Sequence, residues 1–312
     1  MNAITLSFNA VFPLLAYMVL GFALRRVGLL SEQTAAGLNK LVFKVFLPLS
    51  IFQNICAADI RSKFDVKLAV YVAVTCILSY IIISLAVNAR VKEKTVAPVI
   101  IQGMHKSNYN LLAIPIVTSF FGSEIGMTAV LMVVITPLVN ICSTLAFESA
   151  RGGKAGFLPL LKKLILNPLI LSSLLGLIVN LLGIKIPVLI LNNVIGKLGA
   201  MATPVAMLAL GSGFDFRSMK KWKMQLLAVS VVKLIVLPLI IVAGAIPLGI
   251  RGANLIAVLV YSGSHAAVNS YSTAVSMGGN EELAGEIVAL TSLLCVFTLF
   301  VFLTILSTLG FI

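Results

Sequence analysis

The chain has 312 residues, of which 60% are hydrophobic and 11% charged, and its mean hydropathy is +1.12. Soluble domains carry roughly 45–50% apolar and ~25% charged residues, so a soluble globular protein is excluded. The net charge of +13 is not carried by a soluble basic domain; it reads as topological rather than as a nucleic-acid footprint.

Apolar runs of about twenty residues, the length one helix needs to cross a bilayer, are separated by short polar joints. They predict spans near 6–24, 34–55, 66–88, 95–121 and 124–147, then near 163–183, 187–210, 222–248, 253–277 and 283–310. The first run has no Lys or Arg before it, is followed by Arg25 and Arg26, and lacks a small-residue cleavage pattern. It is expected to be an uncleaved helix rather than a signal peptide. The prediction is an all-α, multi-pass protein of ten spans: a first five-helix unit at 1–148, a short linker at 149–161, and a second unit at 162–312.

With the N-terminus outside, the inward loops hold Arg25, Arg26, Arg90, Lys92, Lys94, Arg151, Lys154, Lys162, Lys163, Arg217, Lys220, Lys221 and Lys223. The outward loops then hold only Arg61, Lys63, Lys67, Lys185 and Arg251. The positive-inside rule therefore favours both termini outside a cytoplasmic membrane.

Sliding the chain on itself aligns Pro13 with Pro168, Gly21 with Gly176, Gly28 with Gly183, Pro48 with Pro204, Gly122 with Gly279 and Glu124 with Glu281. The ordered matches predict a duplication. A unit with an odd number of spans re-enters from the opposite side when repeated, which is the inverted repeat common in secondary transporters.

Two predicted spans are interrupted. In the fourth, His105, Lys106, Ser107, Asn108, Tyr109 and Asn110 break the apolar run, with Pro115 beyond. Proline suits the first turn of a restarting helix, and Asn108 or Asn110 is placed to cap it. In the ninth, Ser262, Gly263, Ser264, His265, Asn269, Ser270, Tyr271 and Ser272 interrupt the run. Unwound backbone at membrane depth requires a protein-lined or watery cavity, so the paired breaks predict a substrate site. Half-helix N-termini facing it would suit a carboxylate.

Of the intramembrane bases Lys40, Lys44, Lys106, Lys197 and Lys233, the deepest are Lys44, Lys106 and Lys233, while every Asp and Glu maps to a loop or helix end, Glu286 being deepest. A deep charge is costly and normally paired, so an anionic ligand is the expected partner. The four cysteines, Cys56, Cys76, Cys142 and Cys295, lie in apolar runs without CxxC or zinc-type Cys/His spacing and read as small core residues. No metal ligand set and no catalytic signature is evident; an enzyme is not predicted.

Several stretches resemble the auxin efflux carrier family, which includes bacterial malate or malonate permeases: Pro13 and Gly21 before Arg25–Arg26, LNKLVFKVFLP at 38–48, SNYNLLAIP at 107–115, KLIVLP at 233–238 and AAVNSYSTAVSMGGNEE at 266–282. The resemblance spans the whole chain. It implies a ten-helix inverted repeat related to bile-acid sodium symporters, with helices 4 and 9 crossing at their breaks, helices 1, 2, 6 and 7 as scaffold or gate, and a homodimer. It assigns the crossover Asn and Pro of helix 4 to Asn108 and Pro115, and the helix 9 Asn to Asn269. Relatives carry a proline in the second break where this chain has Ser264, His265 and Ala266, leaving Gly263 to supply it.

The resulting expectation is a secondary carrier of small organic anions without a resident cofactor or nucleic-acid partner. Asn108, Tyr109, Asn110, Lys106, His265, Asn269 and Ser270 are the expected substrate-site residues, Pro115 and Gly263 the hinges, Lys44 and Lys233 further charge partners. His265, with an ordinary pKa of ~6.5, is the expected proton carrier or donor. Coupling to H⁺, or to Na⁺ near Asn108 and Asn269, stands beside a voltage-driven uniporter and a non-transporting ligand sensor as alternatives.

Overall fold

The computed structural model describes residues 3–57, 65–122, 127–150, 168–213 and 220–312. Glu124, the loop residues Arg61, Lys63, Arg151, Lys154, Lys162, Lys163 and Arg217, and positions 151–161 of the predicted linker lie outside them. Among the described residues the regular secondary structure is helical, apart from one isolated backbone bridge.

In chain order the helices are α1 (Ala3–Arg26), α2 (Glu32–Ala57), α3 (Val66–Arg90), α4 (Ala97–His105), α5 (Tyr109–Phe121) and α6 (Thr128–Ala150). They continue as α7 (Pro168–Leu182), α8 (Leu189–Ser212), α9 (Lys223–Ala245), α10 (Gly252–Gly263), α11 (Asn269–Ser276) and α12 (Glu281–Thr308). Six of these, α2, α3, α6, α8, α9 and α12, are long and apolar enough to cross a membrane. The runs predicted as single spans at 95–121 and 253–277 are each two shorter helices.

Local chemistry sets the helix ends. The side chains of Ser31, Asp65 and Asn280 accept hydrogen bonds from the amides of Thr34, Leu68 and Leu283, at 3.1, 3.0 and 2.9 Å, and so cap α2, α3 and α12. Past the ends of α1 and α7 the chain turns at Gly28 (φ 82°) and Gly183 (φ 67°), a backbone region that favours glycine. Inside α2 and α9 the ladder widens to a π turn over Val42–Phe46 and Val232–Val236, immediately before Pro48 and Pro238. The Leu47 and Leu237 amides reach back five residues, to the carbonyls of Val42 and Val232. A proline ring crowds the carbonyl four residues earlier, and the wider turn relieves it.

Two kinds of helix surface follow from the apolar excess. Phe8, Phe12, Val70, Ile82, Leu85, Ile235, Leu239 and Phe297 are exposed on α1, α3, α9 and α12. A surface so apolar suits lipid rather than water; the chain is a multi-pass membrane protein. By contrast, every residue of α4 and every residue of α10 from Leu255 to Gly263 is buried. Helices that are apolar on all sides belong in the middle of a bundle, and these two carry the breaks there.

The N-terminal helix is fastened by backbone contact. A Cβ at Gly21 of α1 would lie 2.0 Å from the Leu208 carbonyl oxygen, and one at Gly211 of α8 would lie 1.9 Å from that of Met18. Small residues let α1 and α8 approach this closely, the usual device where lipid removes the hydrophobic drive for helix pairing.

Candidate functional site

α4 ends at His105, the Lys106 amide still donating to the Gln102 carbonyl at 2.8 Å, and the helix restarts at Tyr109. α10 ends at Gly263, the Ser264 amide donating to Val260 at 3.0 Å, and the chain re-enters a helix at Asn269. The two unwound segments lie against each other as a short antiparallel pair, with Ser107 opposite Ala266. The Asn108 amide donates to the His265 carbonyl at 3.0 Å and the Ala267 amide to the Lys106 carbonyl at 3.1 Å. Each break thus satisfies backbone groups of the other, which makes non-helical chain tolerable in the bundle interior.

A cavity of about 20 Å³ opens beside this junction, lined by Lys106, Ser107, Asn108, Tyr109 and Asn110 from the first break and by Ala267 and Asn269 from the second. Ile135, Thr136, Val139 and Asn140 of α6, Phe43 and Leu47 of α2 and Leu169 of α7 complete the wall. The space suits one or two waters; a larger ligand requires the wall to open. No Asp or Glu is among these lining residues.

Several buried polar atoms at the junction lack a hydrogen-bond partner: Asn108 Nδ2, Asn269 Oδ1, and the hydroxyls of Ser107, Ser264 and Ser270. Buried polar atoms are ordinarily paired, so their concentration at the two breaks makes the junction the candidate site. Lys106 is only 2% exposed and contributes to the same wall.

Other expected site residues have structural roles. Tyr109 turns its hydroxyl to the Thr128 carbonyl at 2.8 Å and ties α5 to the start of α6. Asn110 is doubly engaged by Thr136: its Nδ2 donates at 2.9 Å and its Oδ1 accepts from the Thr136 hydroxyl at 3.0 Å. His265 is buried and not part of the cavity wall; its Nδ1 lies 2.8 Å from the Ala266 carbonyl and 3.1 Å from Ser292 Oγ, while Nε2 has no partner. Ser270 is buried too and is not one of the lining residues.

The lysines separate. Lys233 is 1% exposed, and its ammonium donates to the His105 carbonyl at 3.2 Å, fastening the π turn of α9 to the last residue of α4. Lys44, expected to lie deep, is exposed on α2 and does not line the cavity.

Three finer expectations are corrected. Asn108 occupies the N-cap position of α5, but its side chain makes no capping bond and faces the cavity instead. Pro115 lies in the interior of α5, not its first turn, because the helix already restarts at Tyr109. Its missing amide frees the Leu111 carbonyl, which accepts from Thr203 Oγ1 of α8 at 3.1 Å. Gly263 is not needed for an unusual backbone angle; a Cβ there would meet Pro238 at 2.9 Å, so it lets α10 pack on α9.

Sequence reasoning missed Thr136, Asn140 and Thr203, which lie in apolar runs with nothing local to distinguish them from ordinary intrahelical hydroxyls and amides. It also missed a cluster at the end of α4 that adjoins the break, where the sulfurs of Cys76 and Cys142 and a ring nitrogen of His105 lie within 4.8 Å of one another.

Comparison with known proteins gives a consistent family. A family model described as "Membrane transport protein" matches residues 6–156 and 157–303. An uncharacterised transporter of Methanothermobacter thermautotrophicus is 29% identical over 251 residues, covering 80% of this chain and 81% of that protein.

Proposed function

This chain belongs to the membrane transport protein family, and from that premise we propose that it is a secondary carrier of small organic anions such as malate or other carboxylates. The observation that carries the reading is the junction of the two breaks. It gathers unsatisfied Asn and Ser groups and a buried lysine around a cavity whose wall holds no carboxylate. A carboxylate accepts hydrogen bonds from Asn108 Nδ2 and from the amides that open α5 at Tyr109 and Asn110. Lys106 supplies the opposite charge, so that neither ion stands alone in the interior.

The architecture we propose is ten spans in two inverted halves, with the two interrupted runs crossing at their breaks. Its support is the family match in two consecutive stretches meeting at 156/157, and the turn at Gly28 whose aligned counterpart Gly183 also has a positive φ. Transport then proceeds by alternating access: the small cavity opens as the crossing unit moves against its neighbours and presents the anion to either side. The excess of basic residues in alternate loops supports a reading with both termini outside a bacterial cytoplasmic membrane.

A second reading within transport rests on the absence of a carboxylate from the described cavity wall. Cation coupling usually uses such a group, and without it an anion can move on the membrane potential alone; Na⁺ held by Asn108, Asn269 and break carbonyls, or H⁺ carried by His265, is the coupled alternative.

The test is uptake of labelled malate, malonate, succinate and indole acetate into proteoliposomes, with sodium, proton and potassium-diffusion gradients imposed separately. Saturable uptake of an acid is expected, and the gradient that drives it identifies the coupling. Ligand-induced stabilisation without uptake of any acid would replace the carrier with a sensor.

A further inference from the structure

We propose that Cys76, His105 and Cys142 form a buried binding site for a zinc-class metal ion, separate from the anion cavity and independent of the transport reading. The three residues come from α3, from the last position of α4 and from α6, and all are buried. Their ligand atoms lie within 4.8 Å of one another, and Cys76 Sγ is 3.7 Å from His105 Nε2. In a tetrahedral zinc site with Zn–S of ~2.3 Å and Zn–N of ~2.0–2.1 Å, ligand atoms stand ~3.5–3.8 Å apart. The observed spacing therefore needs only small side-chain rotations to accept an ion.

The donor set selects the class of ion. Two thiols and an imidazole are soft ligands, suited to zinc, cadmium or monovalent copper and not to magnesium or calcium. Charge then favours the divalent ion: two thiolates and a neutral imidazole make a site with no net charge, the arrangement an apolar interior tolerates. Loading one Zn²⁺ forms two Zn–S bonds and one Zn–N bond and releases two thiol protons, with no change of oxidation state. As it stands, His105 Nε2 donates to the Cys76 carbonyl at 3.0 Å while Nδ1 has no partner, so loading the ion gives up that hydrogen bond and moves the ring proton to Nδ1.

The site's position gives it a consequence. A bound ion would cross-link three helices at the residue immediately before Lys106, and would add to the hold that Lys233 already has on the His105 carbonyl. Metal occupancy should thus stiffen the first break.

The test uses the full-length purified protein. Elemental analysis of protein from zinc-supplemented cells, and Cd²⁺ titration followed by thiolate-to-cadmium absorption, should both give one ion per chain and raise Tm. Binding should disappear in Cys76→Ser and Cys142→Ser, persist in the Cys56→Ser/Cys295→Ser double variant, and weaken about tenfold or more in His105→Gln. If the serine variants fail to fold, the double variant still decides, because its remaining thiols are these two: a mercurial should release one zinc for every two thiols titrated. No ion in the intact protein by either method would overturn the site. So would equal binding after loss of both cysteines, or a Cys76–Cys142 disulfide in metal-free protein.

Discussion

Thr203 Oγ1 donates to the Leu111 carbonyl at 3.1 Å, and Leu111 is the residue whose carbonyl Pro115 leaves without its normal intrahelical donor. The proline in α5 is accommodated by a hydroxyl from α8, so a local defect becomes a contact between the helix that starts at the first break and a helix that packs on α1. Thr203→Val should therefore lower stability by about 1 kcal/mol, read as a lower Tm in detergent. Thr203→Ser should retain most of it. An unchanged Tm for the valine variant would show that the carbonyl finds another donor.

Asn108 and Asn110 should respond oppositely to truncation. Asn108 Nδ2 has no partner in the protein, so Asn108→Ala should leave Tm nearly unchanged and raise the KM for anion uptake about tenfold or more, equivalent to ~1.4 kcal/mol. Asn110 has both side-chain ends engaged by Thr136; Asn110→Ala should lower Tm by an amount corresponding to about 1–2 kcal/mol. Uptake kinetics and melting curves on both variants check the pair, and equal behaviour would refute the division of roles.

The buried lysines should separate in the same way. Lys233→Met leaves the His105 carbonyl without the ammonium that now meets it, a loss of about 1–3 kcal/mol for an unsatisfied buried group. Lys106→Met, in the cavity wall, should weaken anion uptake at any gradient. Lys44→Met alters an exposed side chain and should change neither measurement.

Glycine tolerance should follow the α1–α8 contact. Gly21→Ala places a Cβ within 2.0 Å of the Leu208 carbonyl oxygen, so the backbones must separate and the yield of monodisperse protein should collapse. Gly37→Ala in α2 meets nothing within 4 Å and removes an interior helical glycine, which should raise stability by about 0.5–1 kcal/mol. Size-exclusion profiles and Tm decide both.

Much of this protein was legible in its sequence because the relevant signals are local. Apolar runs predict helices wherever about twenty residues in a row avoid charge, and the interruptions at 105–110 and 262–272 stand out against them. The residues expected around the substrate divide in the structure: Lys106, Asn108 and Asn269 share the cavity wall, His265 and Ser270 are buried beside it, and Lys44 is exposed elsewhere. Spacing alone could not make that division, since it depends on which side chains the packed helices turn toward the junction.

By itself the sequence determined the membrane class, the helical content and the places where two helices must break, all consequences of residue type over a few turns of chain. Only the tertiary structure decided that Ser107 lies opposite Ala266, that Thr203 serves Pro115's helix, and that Cys76 and Cys142 approach His105. Those pairings join residues far apart in the chain, and no local periodicity encodes them; they arise when apolar faces pack and each buried polar group is left to find whatever donor or acceptor the neighbouring helix brings.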